Sequence, residues 1–405
     1  MILNEALRYG ENEKSFSTNE NEEQNRTMKI RTITTGFNLE VPLHEEQIRF
    51  IAEFTNRAKA IFEDKGYTVQ TVRIATQPWE GYFESKRQII TLARELEGFA
   101  CKYNMDYSNV GTTTDHKLIP LIYEIMKNTA HVFCSVSVCD NGRTNHQAAR
   151  RTARLMHRVS RIDKDGFANL RFAAIFNTRP GSPFYPASYH EGPTSFAIGT
   201  ENSDLVGKAF SRAQDIESAG VYLRRIFTEE YKKIEEIALQ ISEREKIRYG
   251  GIDASVATSV NPNESIAYAF ETLGLGKFGD VGTLAIAKIV TDVIRGLDIR
   301  KCGYCGLMLP VLEDYGLAQR NSEGMFNLNN LLLYSSVCGT GLDTIPLPGD
   351  TSEKKLYALL LDIASLSNAL NKPLSARLMP VPNKLAGEMT EYRFEYFENS
   401  RIMNI

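Results

Sequence analysis

An α/β architecture, with helices outside a sheet or barrel, is what this chain predicts. Strand-like and helix-like stretches alternate some eight to ten times from Met28 onward, and no linker rich in Pro, Gly or Ser divides them. A length of 405 residues with 42% hydrophobic and 24% charged residues suits one large domain or two medium ones. No internal repeat of fixed period is visible.

The elements follow from local pattern. Lys29 to Phe37 reads as a strand, and so does Tyr67 to Thr76 (YTVQTVRIAT). Between them, Ile48, Ile51, Phe54, Ala58, Ile61 and Phe62 recur at helical spacing over Glu45 to Lys65. Trp79 to Tyr103 and Thr113 to Asn128 read as helices, the second capped by Thr114 or Asp115. His131 to Val138 is a strand, and Thr144 to Ser160 a helix that is basic on one face. Strands are expected at Leu170 to Asn177 and Thr194 to Thr200, and helices at Asp204 to Ala219 and Thr228 to Arg248. Ile252 to Ser259 is a strand, followed by helices at Glu264 to Thr272 and Gly282 to Arg295. Tyr304 to Leu309, Val311 to Ala318 and Leu328 to Ser335 form a strand-helix-helix group. Ser352 to Asn371 is a helix, and Ser375 to Pro380 the last strand.

Residues 1–27 are rich in Glu, Asn and Ser and too poor in apolar groups to offset the entropy of ordering, so a disordered tail is expected there, with residues 28–405 as a single barrel domain. Met28, where the composition changes, is an alternative start. A net charge of −3 gives no global basic field for nucleic acid. No apolar run approaches the roughly 18 residues of a membrane span, and no signal pattern opens the chain. Six cysteines are too sparse for a disulfide scaffold, which makes a reducing cytoplasm the expected location. A homo-oligomer is the ordinary expectation for such a protein.

The most informative stretch is Val337 to Thr351, VCGTGLDTIPLPGDT. Cys338 stands between an apolar run and Gly339-Thr340-Gly341, where glycines free the backbone to carry a thiol into a cavity. Pro348-Gly349-Asp350-Thr351 reads as a tight turn before a helix.

Together with KIRTIT, VQTVRIAT, PFYPASYHEG, IDASVA, GDVGTLAIAKI and CGLMLPVLEDYGLA, in that order, this stretch resembles uncharacterised protein family 0210, also called domain of unknown function 711, over about Met28 to Pro382. The resemblance implies a ten-stranded α/β barrel with outer helices, similar to pyruvate formate-lyase and anaerobic ribonucleotide reductase. In those enzymes a loop cysteine inside the barrel carries a radical, and Cys338 stands at the position that looks equivalent. The terminal NSRIMNI lacks an Arg-Val-x-Gly-Tyr-like segment, so glycyl-radical chemistry is not expected. Members of the family often carry a His where Val281 stands here. The family supplies no activity to carry over.

The leading expectation is an enzyme acting on a small, anionic metabolite in a barrel-centred pocket. Cys338 would be nucleophile or thiol acid–base group, given a cation or helix N-terminus to lower its pKa; the bland reading is a small buried apolar residue. His190, on a loop fixed by two prolines and beside Glu191, would be its acid–base partner or a ligand; otherwise it is a turn histidine. Asp343 would orient the substrate. Gly279, Gly282 and Thr283 would bind an anion at a helix start, or simply form a helix entry. Cys302 and Cys305 form a C-x-x-C without a second pair, more in keeping with two packed thiols than with zinc or redox use. Asp253 and Glu264 are, like Asp343, acids at element ends, where a carboxylate can bind a metal or hold a cationic substrate, though Glu264 and Ser265 read rather as caps of the next helix. The basic face Arg150, Arg151, Arg154, Arg158 and Arg161 reads as solvated, or as a site for a phosphate or an acidic partner. No metal site is assigned, and no cofactor is named. The alternative is a metabolite-binding or regulatory protein without catalysis on an enzyme-like barrel.

Overall fold

The computed structural model describes residues 28–80 and 86–405. The expected tail at residues 1–27, and residues 81–85 of the expected helix Trp79 to Tyr103, lie outside the described residues. Among the described residues there are ten strands: β1 (Lys29–Gly36), β2 (Val69–Ala75), β3 (Tyr107–Thr113), β4 (Val132–Asp140), β5 (Arg143–Thr144), β6 (Phe172–Phe176), β7 (Ser195–Glu201), β8 (Arg248–Ala257), β9 (Gly341–Pro348) and β10 (Leu374–Val381).

Nine of them run side by side in the order β8-β7-β1-β2-β3-β4-β6-β10-β9, while β5 is a short return paired to β4. The ring is closed by segment 301–310. It bridges β8 at Ile252↔Lys301 and Val256↔Leu307, and β9 at Pro310↔Asp343, all parallel. The tenth stave is thus irregular but real, and the expected ten-stave barrel is present. Its two halves are parallel within themselves: β1, β2, β3, β4 and β6 in one, and β7, β8, the 301–310 stave, β9 and β10 in the other. They meet antiparallel at two seams, β1 with β7 and β6 with β10.

Helices cover the outside, and their apolar faces and the outward strand residues form one continuous core cluster. The expected break near residue 220 falls earlier. One 30-residue helix, Ile216–Glu245, starts at a capping box in which Asp215 accepts from Ser218 N–H and Ser218 Oγ accepts in return. Three strands were not expected, the two-residue β5 among them. β3 (YSNVGTT) is short and polar with a glycine at φ 86°, and β9 (GLDTIPLP) contains two prolines. Proline removes a ladder donor; β9 tolerates it because its regular ladder runs only to β10, its other side meeting the irregular stave.

Closure depends on two glycines in contact. An ideal Cβ on Gly306 would stand 2.5 Å from Gly339 Cα, and Gly339 N–H donates to Leu307 O at 2.6 Å. No side chain fits between these backbones. Gly306→Ala should therefore destabilise the fold by about 3 kcal/mol through overpacking against backbone. Gly98→Ala, in an exposed helix position with open space around its ideal Cβ, should stabilise by up to about 1 kcal/mol. Urea denaturation of the two variants reads both signs, and equal stability of Gly306→Ala and the parent would remove the closure argument.

Candidate functional site

The barrel interior holds a cavity of about 110 Å³. It is lined from the strands by Arg31, Thr71, Arg73, Tyr107, Phe133, Asp343, Ser375 and Arg377, among others. Loop 177–192 enters the barrel and supplies Phe184, Tyr185, Pro186 and Ala187. It is held from three strands: Thr34 Oγ1 donates to Pro183 O at 2.8 Å, Tyr185 OH donates to Ile74 O, and Asn109 Nδ2 donates to Pro186 O at 2.8 Å. A glycine on β7 makes the room, since an ideal Cβ on Gly199 would stand 2.7 Å from Phe184 Cζ. Phe394 and Tyr396, from the C-terminal segment, complete the lining.

Charge inside the barrel is arranged as a chain of alternating sign. Arg31 Nη1 lies 2.6 Å from Glu201, and Arg31 Nη2 lies 3.4 Å from Glu313. Arg377 Nη2 is 2.5 Å from Glu313, and its Nε is 2.6 Å from Asp343. Lys29 pairs with Glu264 at 2.7 Å beside this chain. Burial by itself would lower the pKa of Arg377 and of Arg31, but Asp343 and Glu313 hold the first up, as Glu201 and Glu313 hold the second. Burial pushes the Glu313 carboxyl up, and Arg377 offsets this only in part.

Arg73 stands outside that chain. It is only 8% exposed, and among the described residues it has no carboxylate within ion-pairing distance. Its Nε donates to Thr71 Oγ1 at 3.0 Å. The guanidinium lies 5.0 Å from the ring centre of Tyr185 and 5.6 Å from that of Tyr107. Burial, with the like charge of Arg31, lowers it to about 10, which leaves it a cation at neutral pH. A second unsatisfied group is Thr340 Oγ1, which lines the cavity, is buried, and makes no hydrogen bond among the described residues.

Of the residues singled out from sequence, Asp343 lines this cavity, and Cys338 and His190 do not. Cys338 is fully buried in the apolar core, its N–H donating to Tyr334 O at 2.8 Å and its carbonyl accepting from Lys372 Nζ. The loop of His190 does reach the interior, but through Phe184 to Ala187. The imidazole itself lies on Gly36, where an ideal Cβ would be 2.4 Å from Nδ1, and Nε2 bonds Gly192 O at 2.9 Å. Burial lowers its pKa, so the ring is neutral and serves as a packed donor. Gly279, Gly282 and Thr283 lie away from the cavity. Gly279 N–H is taken by Thr283 Oγ1 at 3.0 Å, and the close neighbour of Gly279 is Met325 O, not free space.

The remaining candidates are structural. Asp253 accepts from the N–H groups of Tyr304 at 2.8 Å and Cys305 at 3.0 Å, so it shapes the C-x-x-C turn. Burial raises the Cys302 thiol well above its usual range and Cys305 to about 12. Ser265, not Glu264, caps the helix Ile266–Glu271. The basic helix face is engaged locally: Arg150 over Tyr357, Arg158 over Tyr123, Arg154 on Glu353 and Arg151 on His116 O. Among the described residues no group of three His, Cys, Asp or Glu side chains is placed to hold a metal ion, and no helix is long and apolar enough to cross a membrane.

A family model described as "Uncharacterised ACR (DUF711)" matches residues 23–395. The chain belongs to the DUF711 family. A UPF0210 protein of Acetivibrio thermocellus is 25% identical over 91% of this chain and 89% of its own length. A UPF0210 protein of Methanopyrus kandleri is 23% identical over 90% and 89%. Among solved structures, an anaerobic ribonucleotide reductase aligns at 11% identity with a TM-score of 0.44, over 86% of this chain and 70% of that one. The DUF711 assignment agrees with the resemblance read from the sequence.

The thiols give a direct check on placement. Cys101 is exposed, whereas Cys134, Cys139, Cys305 and Cys338 are buried. Iodoacetamide on native protein should label Cys101 first and Cys338 only after unfolding, as read by peptide mass spectrometry. Early labelling of Cys338 would return it to the list of reactive groups.

Proposed function

We propose that this chain is an enzyme that takes a small anionic metabolite into the barrel, with Arg73 as the anchor of its anionic group and Glu313 as the group that exchanges a proton with it. The observation that carries this reading is Arg73: a buried guanidinium in a cavity, with no carboxylate paired to it among the described residues. Burying an unpaired charge costs several kcal/mol, so such a group is kept where a ligand supplies the counter-charge. A guanidinium fork matches a carboxylate in two-point geometry, and the rings of Tyr107 and Tyr185 flank it. Glu313 is supported as the acid–base group by its place in the same cavity and by the burial that raises its pKa above the usual carboxylate value. The chemistry thereby moves from Cys338 and His190 to Arg73, Glu313 and Asp343. A binding protein without turnover is the alternative that the packing of Cys338 and His190 favours.

Arg73→Gln should melt at or above the temperature of the parent protein, because it removes an unpaired buried cation. Thermal shifts against a panel of small carboxylates and their neutral amides should show the parent stabilised by at least one carboxylate and not by its amide, with the shift lost in Arg73→Gln. A destabilised Arg73→Gln, together with no shift of the parent by any anion, would make Arg73 a structural cation and end this reading. Glu313→Gln should keep binding. Conversion of the bound carboxylate by the parent and not by Glu313→Gln supports turnover, and recovery of the compound unchanged from both supports the binding protein.

A further inference from the structure

The geometry points to a small zwitterionic amino acid as the ligand class, its carboxylate on Arg73 and its ammonium directed to Asp343 and Thr340; this rests on Arg73 being the anion anchor. The first support is position. Arg73 is on β2 and Asp343 on β9, and in the ring of ten staves these are five apart in either direction. The cation and the acid therefore stand on opposite walls. Thr340, at the entry to β9, is on the wall of Asp343.

The second support is the balance of charge. The chain Glu201–Arg31–Glu313–Arg377–Asp343, joined at Glu201 by Lys29 and through Lys29 to Glu264, sets four carboxylates against three cations. The chain crosses the barrel from β7 and β1 to β10 and β9 with one net negative charge; at its far end Asp343 has Arg377 as its one paired cation among the described residues, and shares it with Glu313, while Arg73 on β2 is a positive charge without a paired carboxylate among those residues. A ligand that was only an anion would answer Arg73 and leave the excess carboxylate charge uncompensated. A zwitterion answers both in a site of low dielectric, where an unmatched charge is costly.

The third support is an unused acceptor. Thr340 Oγ1 is 3% exposed and without a partner among the described residues. A buried hydroxyl left unbonded costs about 1–3 kcal/mol, and a ligand N–H removes that cost. Size then limits the class. A cavity of about 110 Å³ is somewhat smaller than the roughly 150 Å³ that holds a benzene molecule. The carboxylate and ammonium must be only a few bonds apart, as in an α-amino acid of the size of proline or threonine. Ser375 and Tyr304, polar groups in the same lining, suit a short polar side chain.

The test uses two matched sets of probes on the full chain. One is L-proline, cyclopentanecarboxylate and pyrrolidine; the other is L-threonine, 3-hydroxybutanoate and 1-amino-2-propanol. Within each set the second compound lacks the amine and the third lacks the carboxylate. Calorimetric titration should show at least one amino acid binding about 100-fold or more tightly than both of its analogues, as a site with buried partners rejects a compound that leaves them unpaired. Thr340→Val, which keeps the side-chain shape, and Asp343→Asn should each weaken the amino acid at least tenfold and leave the amine-free acid unchanged. If the amine-free acid binds as tightly as the amino acid, the zwitterion is wrong while Arg73 remains an anion anchor. If only larger anions bind, this ligand class is wrong with the same anchor standing. If no anion binds at all, the reading of Arg73 falls with it.

Discussion

Arg377 is the residue on which the interior depends. Its guanidinium holds Glu313 and Asp343 at once, at 2.5 and 2.6 Å, and so joins β10, β9 and the turn after the irregular stave. A buried guanidinium is tolerable only with such partners, because desolvation opposes it and paired carboxylates offset the loss. The arrangement then propagates. Glu313 is fixed by Arg377 and reaches Arg31 on β1, and Arg31 reaches Glu201 at the end of β7. One chain of charge thereby crosses the barrel between its two parallel halves. A cavity in a protein interior ordinarily collapses or fills with apolar groups. Here the interior stays open because charged side chains of fixed geometry line it and aromatic rings fill the gaps between them.

The same chain defines what is exceptional about Arg73. Four guanidinium contacts to carboxylates bind Arg31 and Arg377 into the fold, and any reading of them as ligand-binding groups must first break those pairs. Arg73 needs no pair broken. Among the described residues its Nε alone is committed, to Thr71, and the rest of the fork lies beside tyrosine rings and the cavity. Stability and function are separable at this position in a way they are not at Arg377.

Much of the fold was legible. Alternating apolar spacing placed most of the helices and seven of the strands, because each of those segments carries its own period. β9 was not legible, since Pro346, Pro348 and Gly341 read as loop and turn, and only a one-sided ladder makes a strand of them. The 301–310 stave is irregular for a reason that local pattern cannot carry: its turn is set by Asp253, some fifty residues earlier in the chain. Cys338 misled for a related reason. The glycine after it permits a close approach, but the approach is of Gly339 to the backbone of Gly306, and the freed backbone closes the barrel instead of presenting a thiol.

The site has a signature in the sequence. IRTITT, TVRIAT and SARLMP each place one arginine inside an otherwise apolar or hydroxylated run. In a strand covered on its outer face by helices, a charged residue has only the barrel interior to enter. Three such strands, packed into one ring, put three guanidiniums in one cavity. Chemistry-bearing residue types drew attention to Cys338 and His190, whereas the anomaly was a charge at a position that burial forbids. Two of those charges are answered by Glu201, Glu313 and Asp343, which the sequence shows as acids but cannot pair. The third, Arg73, becomes visible as unanswered only when the others have been accounted for, and that is a property of the ring and not of any strand in it.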